Sequence, residues 1–436
     1  MSTENSETTA ARQMESIKLD NLLINFTTEF NRIWDTNGSD SKPGAFWRPI
    51  PAPDLLPGFF PLGDVAVSGY DNINGSKVVA VVRDAESPGM EGTRGKALSQ
   101  PIDFQPIWKD AGSGARKDCT LWRPVPPEGY VALGLVCSNH EKPLLSTVRC
   151  VREDLVIASN LGDLIWEDKG SGAKQNFSSW SIEPPSAAAG EIYFAPGTFV
   201  GFNSYTKPSL EVAGYSLRMQ IPIQAKSAPE LPVISGFEAP PDETSETTQV
   251  ATIPWFAVKD HDRTPIERMN KSPYYRLKRT DQYTLVGYGH NNGEKSTLLT
   301  WTAPRILSRR NQKRFSKITS IEVSSQWPTA TSGARPLNFS AKLSADFTHT
   351  KTSSSGWMSS NTVVIAAIVP ENKMLAVYQL ESHYTLLRED DTDLGVIFSY
   401  ADADSLRWIE YPSEKENEAP GSKPMTEPPV VTDTAP

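Results

Sequence analysis

The sequence predicts an all-β protein: an N-terminal three-fold repeat β-prism followed by a second β-rich domain of long antiparallel strands. Three observations carry that expectation. A unit with two tryptophans around a Gly/Ser turn occurs three times in the first half. The 436 residues include 35 prolines and 28 glycines, a composition of short strands and turns rather than helices. In the second half apolar and polar residues alternate strictly, with Phe339, Ala341, Leu343, Ala345 and Phe347 against Ser340, Lys342, Ser344, Asp346 and Thr348.

Residues 1–19 are polar and acidic around Met1–Gln13, so a disordered N-terminus without a secretory signal is expected. The three units fill residues 20–225. The first runs from Ile33-Trp34 through Gly38-Ser39 to Trp47-Arg48-Pro49. The second runs from Ile107-Trp108-Lys109-Asp110 through Gly112-Ser113-Gly114-Ala115 to Trp122-Arg123-Pro124. The third runs from Ile165-Trp166-Glu167-Asp168 through Gly170-Ser171-Gly172-Ala173 to Trp180. The tryptophan spacings are 13, 14 and 14 residues. A second block follows each hairpin: Gly58–Val65, Gly129–Val136 and a worn Tyr193–Val200. A further strand closes each unit, at Val79–Asp84, Val148–Glu153 and the alternating Tyr215, Leu217, Met219, Ile221 and Ile223. Trp, Tyr, Val and Ile suit a pleated, half-buried surface, and Gly-Ser-Gly supplies a tight turn. No single unit can bury its apolar face. Three sheets around one axis can, with Trp34, Trp47, Trp108, Trp122, Trp166 and Trp180 as anchors.

IWKDAGSGA, LWRPVPPEGYVALG and VRCVRED together resemble the vacuolar protein sorting-associated protein 62 family over the first half of the chain. The match is specific in the second unit and degraded in the third, where Trp180-Ser181-Ile182 replaces Trp-Arg-Pro. The resemblance implies a β-prism related to modules that dock on membranes or trafficking machinery, and it implies no catalytic site. Asp110, Asp168, Arg48 and Arg123 admit two roles. They form a loop site for a headgroup or sugar, or they brace turns and stack on tryptophan.

Residues 226–250 are rich in Pro, Glu, Ser and Thr and read as a linker. Residues 251–411 form the second β-rich domain. Its Ser/Thr-rich alternating strands bracket a Thr/Ser/Gly-rich span (Thr350–Ser360) and resemble the pore-forming segment of aerolysin-type proteins. A membrane barrel requires that alternation, and so does an antiparallel sheet with one wet face. Residues 251–350 hold 16 Lys/Arg and 7 Asp/Glu against a net −9 for the whole chain. Six of the positive residues are Arg305, Arg309, Arg310, Lys313, Arg314 and Lys317, a run suited to anionic lipid headgroups or to a solvated loop. Residues 412–436 are acidic and Pro-rich, and a disordered tail is expected.

The acidic balance argues against a nucleic-acid partner. No apolar run is long enough for a membrane-spanning helix. The three cysteines lack metal-ligand spacing and read as buried thiols. His140, His261, His290, His349 and His383 do not pair at metal-site spacing. Lys259-Asp260-His261-Asp262 is the one acid–base cluster and reads as an exposed turn. Nucleophile-elbow, zinc-protease and phosphate-loop motifs are absent, and Gly92–Ala97 fails as a phosphate loop. The sequence therefore predicts a non-enzymatic protein without cofactor or metal, cytoplasmic or peripheral to membranes (the vacuole included). The expected partner is a membrane surface or glycan. The alternatives are a trafficking adaptor with a protein partner, a lectin-like sugar binder, and self-association.

Overall fold

Each pair of tryptophans folds into a hairpin with one register. The structure, a computed structural model, describes residues 16–52, 55–85, 95–209, 214–258, 260, 262–304, 337–344, 362–401, 405–413 and 430–433. Strand Phe30–Asp35 pairs antiparallel with Gly44–Pro49, which pairs with Val65–Ser68. Asp103–Lys109, Thr120–Val125 and Val136–Ser138 repeat that order. So do Val156–Glu167, Ser178–Glu183 and Val200–Phe202. The first tryptophan stands opposite the residue before the second: Trp34 with Phe46, Trp108 with Leu121, Trp166 with Ser179. The second tryptophan stands opposite Val65, Val136 or Val200. In all three hairpins the register breaks at the isoleucine before the first tryptophan, leaving Ile33, Ile107 and Ile165 without a partner. Such a bulge re-aims the neighbouring side chain.

The re-aimed indoles meet. Ring centroids of Trp34, Trp108 and Trp166 lie 6.0, 5.8 and 6.1 Å apart in edge-on pairs. Aromatic pairs of this geometry contribute about 0.5–1.5 kcal/mol each beyond their burial. Phe46, Leu121, Phe177 and Phe199 complete this core. The six tryptophans do not share one interior, which corrects the expectation of common anchors. Trp47 packs with Phe30, Val65, Ile73 and Val79, and Trp122 packs with Phe104, Val136 and Val148. The second residue of each pair points to the other face of its sheet, because neighbours in a strand alternate.

A second layer of short strands closes the units. Val79–Asp84, Cys150–Arg152 and Gly214–Gln220 pair with Phe60–Pro61, Tyr130–Val131 and Glu191–Phe194. The blocks approach closely: a Cβ on Gly63 would lie 2.8 Å from Gly134 Cα, so this position requires glycine.

The second half is built on long strands. Glu243–Pro254 pairs with Tyr274–Asn291, which pairs with Lys373–Arg388. The central strand has 18 residues, about 60 Å at roughly 3.3 Å per residue. Thr297–Pro304, Thr362–Val369 and Val430–Asp433 form another sheet. Its Ile365, Ala367 and Val369 bury against Leu375, Val377 and Leu406. Trp301 seats on Gly287, where a Cβ would lie 2.1 Å from its Cδ1.

Strand boundaries differ from the sequence reading in three places. Ile17–Leu19 is a strand paired with Leu22–Thr27, inside the stretch expected to be disordered. Glu243–Pro254 begins inside the expected linker, its Thr/Ser content suiting a strand as well as a loop. Val430–Asp433 is a strand within the expected tail.

The halves also share one core. Phe339–Lys342 pairs with Glu191–Phe194 and becomes an edge of the third unit's sheet. Phe339 meets Phe256 edge-on at 5.6 Å, and Phe256 meets Phe194 and Phe26 at 4.8 and 5.9 Å. Only the Phe339–Ser344 part of the alternating stretch is described, and there Phe339, Ala341 and Leu343 are buried as expected.

Candidate functional site

The three Gly/Ser turns converge at one end of the first half. Trp34 Nε1 donates to Lys117 O (2.6 Å), Trp108 Nε1 to Gln175 O (2.9 Å) and Trp166 Nε1 to Lys42 O (2.8 Å). Each indole therefore holds the turn of the next unit, and the relay closes on itself. Ser39, Ser113 and Ser171 each accept an N–H from two residues ahead, from Ser41, Ala115 and Ala173. These are side-chain turns of the kind serine stabilises.

Asp110 and Asp168 occupy one place in this cluster, and Thr36 takes it in the first unit. All three are buried. Thr36 Oγ1 accepts from Gly44 N at 3.0 Å and bonds Tyr70 Oη at 2.9 Å. Asp168 Oδ1 accepts from Phe177 N at 2.7 Å. Burial raises the Asp168 pKa, with the Phe177 amide and Tyr205 acting against it. Burial and that carboxylate together push Tyr205 up to about 12. Asp110 differs, since neither carboxylate oxygen has a hydrogen-bond partner. Burial raises its pKa, Asp118 and Asp168 add to the rise, and Ser113 and His140 oppose it. The bond that is missing is a backbone one: Gly44 N and Phe177 N donate to Thr36 and Asp168, whereas the amide of Cys119, which faces Asp110 in the same way, makes no such bond.

The structure brings Asp110 and Asp168 together but buries both, so neither presents a charge to solvent. Arg123 is exposed and stands on its strand opposite Gln105, away from the turn. Arg48 braces the junction between the first two units. It grips buried Asp64 through two bonds of 2.9 Å and donates to Cys137 O at 2.6 Å. Arg305, Arg309, Arg310, Lys313, Arg314 and Lys317 lie outside the described residues.

The Asp260 cluster is a correction. Asp260 is buried rather than in an exposed turn, and it takes Arg388 in two bonds of 2.7 and 2.9 Å and Tyr275 Oη at 2.9 Å. Burial works against ionisation, yet the Arg388 and Tyr275 bonds outweigh it and hold the carboxyl below its ordinary value. The partner is 128 residues distant, so no local pattern could reveal it. Cys119, Cys137 and Cys150 are free and buried, and burial pushes the Cys150 thiol up to about 12. Among the described residues no group of three or more His, Cys, Asp or Glu is placed to hold a metal ion. No helix among them is long and apolar enough to cross a membrane.

Two further surfaces escaped sequence reasoning. A cleft of about 340 Å³ opens between the first and third units, with Leu337 and Asn338 of the second half in its wall. On the sheet of Thr297–Pro304 and Thr362–Val369, Leu298 stands directly opposite Ile368, and these residues are 63% and 62% exposed.

Fold and site together define an almost wholly β, antiparallel protein whose first half is organised around three matched hairpins. The chain belongs to the vacuolar protein sorting-associated protein 62 family, whose model matches residues 4–231. Among solved structures it is similar to GNIP1Aa from Chromobacterium piscinae, at 26% identity and a TM-score of 0.36. That alignment takes in 44% of this chain and only 34% of GNIP1Aa, about a third of the latter's length. It is also similar to Cry35Ab1, at 10% identity over 92% of each chain with a TM-score of 0.39. No curated protein matches the chain.

Proposed function

We propose that this is a non-enzymatic protein peripheral to membranes. Its first half acts as a β-prism recognition module, and its second half meets the bilayer. The prism reading is supported by the shared register of the three hairpins and by the closed relay of Trp34, Trp108 and Trp166.

The observation that carries the membrane reading is the uncharged outer face around Leu298 and Ile368. Strands TLLTWTAP and TVVIAAIV contain no ionisable residue. Cross-strand pairs Leu298–Ile368, Thr300–Ala366 and Thr302–Val364 share that face, while Leu299, Trp301 and Ala303 turn inward. Burying an exposed Leu or Ile in the acyl boundary contributes about 1.5–3 kcal/mol each. The basic run begins at Arg305, immediately after Pro304. Each basic residue near an anionic leaflet adds about 1 kcal/mol. Among the described residues Thr297–Pro304 is also an outer strand of its sheet. Among the described residues that edge has no neighbouring strand, which suits pairing with a second copy, the step from surface binding to a closed barrel.

Co-sedimentation with phosphatidylserine vesicles tests this. The wild-type chain is expected to sediment and to be released by salt. The Leu298→Thr/Ile368→Thr chain keeps strand-forming residues at exposed positions and is expected to stay in the supernatant. If it sediments as the wild type does, the membrane face has been misplaced. Leakage of trapped dye decides between surface binding and perforation.

A further inference from the structure

The cleft between the first and third units lies where the junction of the first and second units holds a guanidinium. Arg48, Arg123 and Ser181 each follow the second tryptophan of their unit. At the junction of the first and second units, Arg48 crosses to the Cys137 carbonyl and is held by Asp64. At the junction of the third and first units, the place of Arg48 belongs to Ser181. The place of Cys137 belongs to Ala66, and that of Asp64 to Phe199. Ser181 and Ala66 both line the cleft. Where the first junction holds a guanidinium this one holds the short Ser181, and about 340 Å³ is open beside it. That volume sits at the small end of the roughly 300–1,000 Å³ typical of ligand sites.

The lining states what would fit. Lys77 and Asp163 offer one charge of each sign, and Ser68 and Asn338 offer a hydroxyl and an amide, while the Ser181 hydroxyl is held by the Asp163 backbone. Asn338 Nδ2 is already spent on Ile182 O at 2.9 Å, which leaves its Oδ1 to accept. Lys77 is exposed as a residue, while its surroundings lower its pKa through burial. Ile165 and Leu337 supply apolar backing. An anion would face Asp163 and a cation would face Lys77. A neutral ligand rich in hydroxyls faces neither penalty and can both donate and accept, with its C–H face on the apolar wall.

We propose that this cleft binds a neutral sugar of one or two rings. The site is independent of the bilayer face, because it lies on different strands and needs no vesicle. The experiment is saturation-transfer NMR on the full chain with glucose, galactose, mannose and N-acetylglucosamine. Glucuronate and inorganic phosphate are the charged arms. At least one neutral hexose is expected to show saturable binding. Ser181→Arg puts into the cleft the residue found at this place in both other units and is expected to abolish binding in a chain that still melts cooperatively. Asp163→Asn is expected to weaken binding about tenfold. No saturable signal from any neutral sugar overturns the proposal. So does tighter binding of phosphate or glucuronate, or full binding by Ser181→Arg. Vesicle sedimentation by Ser181→Arg at the wild-type level would leave the membrane reading standing whichever way the sugar result falls.

Discussion

At the scale of single residues, the most informative side chain is Asp110. Neither of its buried carboxylate oxygens makes a hydrogen bond of ordinary geometry, while Thr36 Oγ1 and Asp168 Oδ1 at the matching places accept a backbone N–H. Its folded-state pKa is raised by burial above the ordinary 3.8. A raised carboxyl holds its proton longer in the folded chain than in the unfolded one. Its stabilising effect is complete below the unfolded value and is lost as pH rises through the folded value. Asp110→Asn is therefore expected to raise stability at neutral pH by about 1 kcal/mol, and the gain should vanish in acid. Denaturant melts of both chains from acid to neutral pH check this. The repeated aspartate was legible in the sequence, but its missing partner was not. That depends on the Cys119 amide, which faces Asp110 across its hairpin as Phe177 faces Asp168 and yet donates nothing to the carboxylate, a matter of geometry rather than of residue type.

At the scale of elements, spacing alone was enough to place the hairpins. Two tryptophans around a glycine turn leave few registers open, because a one-residue slip moves every side chain to the other face. The bulges at Ile33, Ile107 and Ile165 were not legible, since nothing distinguishes an unpaired isoleucine from a paired one until the partner strand is known. The same holds for the seat of Trp301 on Gly287. That glycine reads as a weak point in an 18-residue strand. Packing reverses its meaning, since it admits an indole between two sheets. Gly287→Ala places a methyl group inside the Trp301 ring contact and is expected to destabilise the chain by about 1–3 kcal/mol. A lowered denaturant midpoint with unchanged slope is the signature to look for.

At the scale of the whole molecule, the two halves are tied by a strand that crosses between them. Phe339–Lys342 belongs by sequence to the second half and by pairing to the third unit of the first. Any rearrangement of the second half on a bilayer has to break that pairing or carry it along. Phe339→Ala removes a ring that packs on Phe256. It is expected to cost about 3–5 kcal/mol and to speed dye leakage from phosphatidylserine vesicles. Unchanged leakage with lowered stability would show that the strand stays docked on the membrane. By itself the sequence determined the class of fold, the three hairpins and the burial of their first tryptophans, because those follow from short-range period, turn chemistry and apolar pattern. Only the tertiary structure decided that the indoles form a closed relay, that Asp260 belongs to Arg388, that the second half supplies a strand to the first, and that a cleft opens beside Ser181. Each of these joins residues far apart in the chain, where the loop-closure cost is met by burial and pairing that no local window contains.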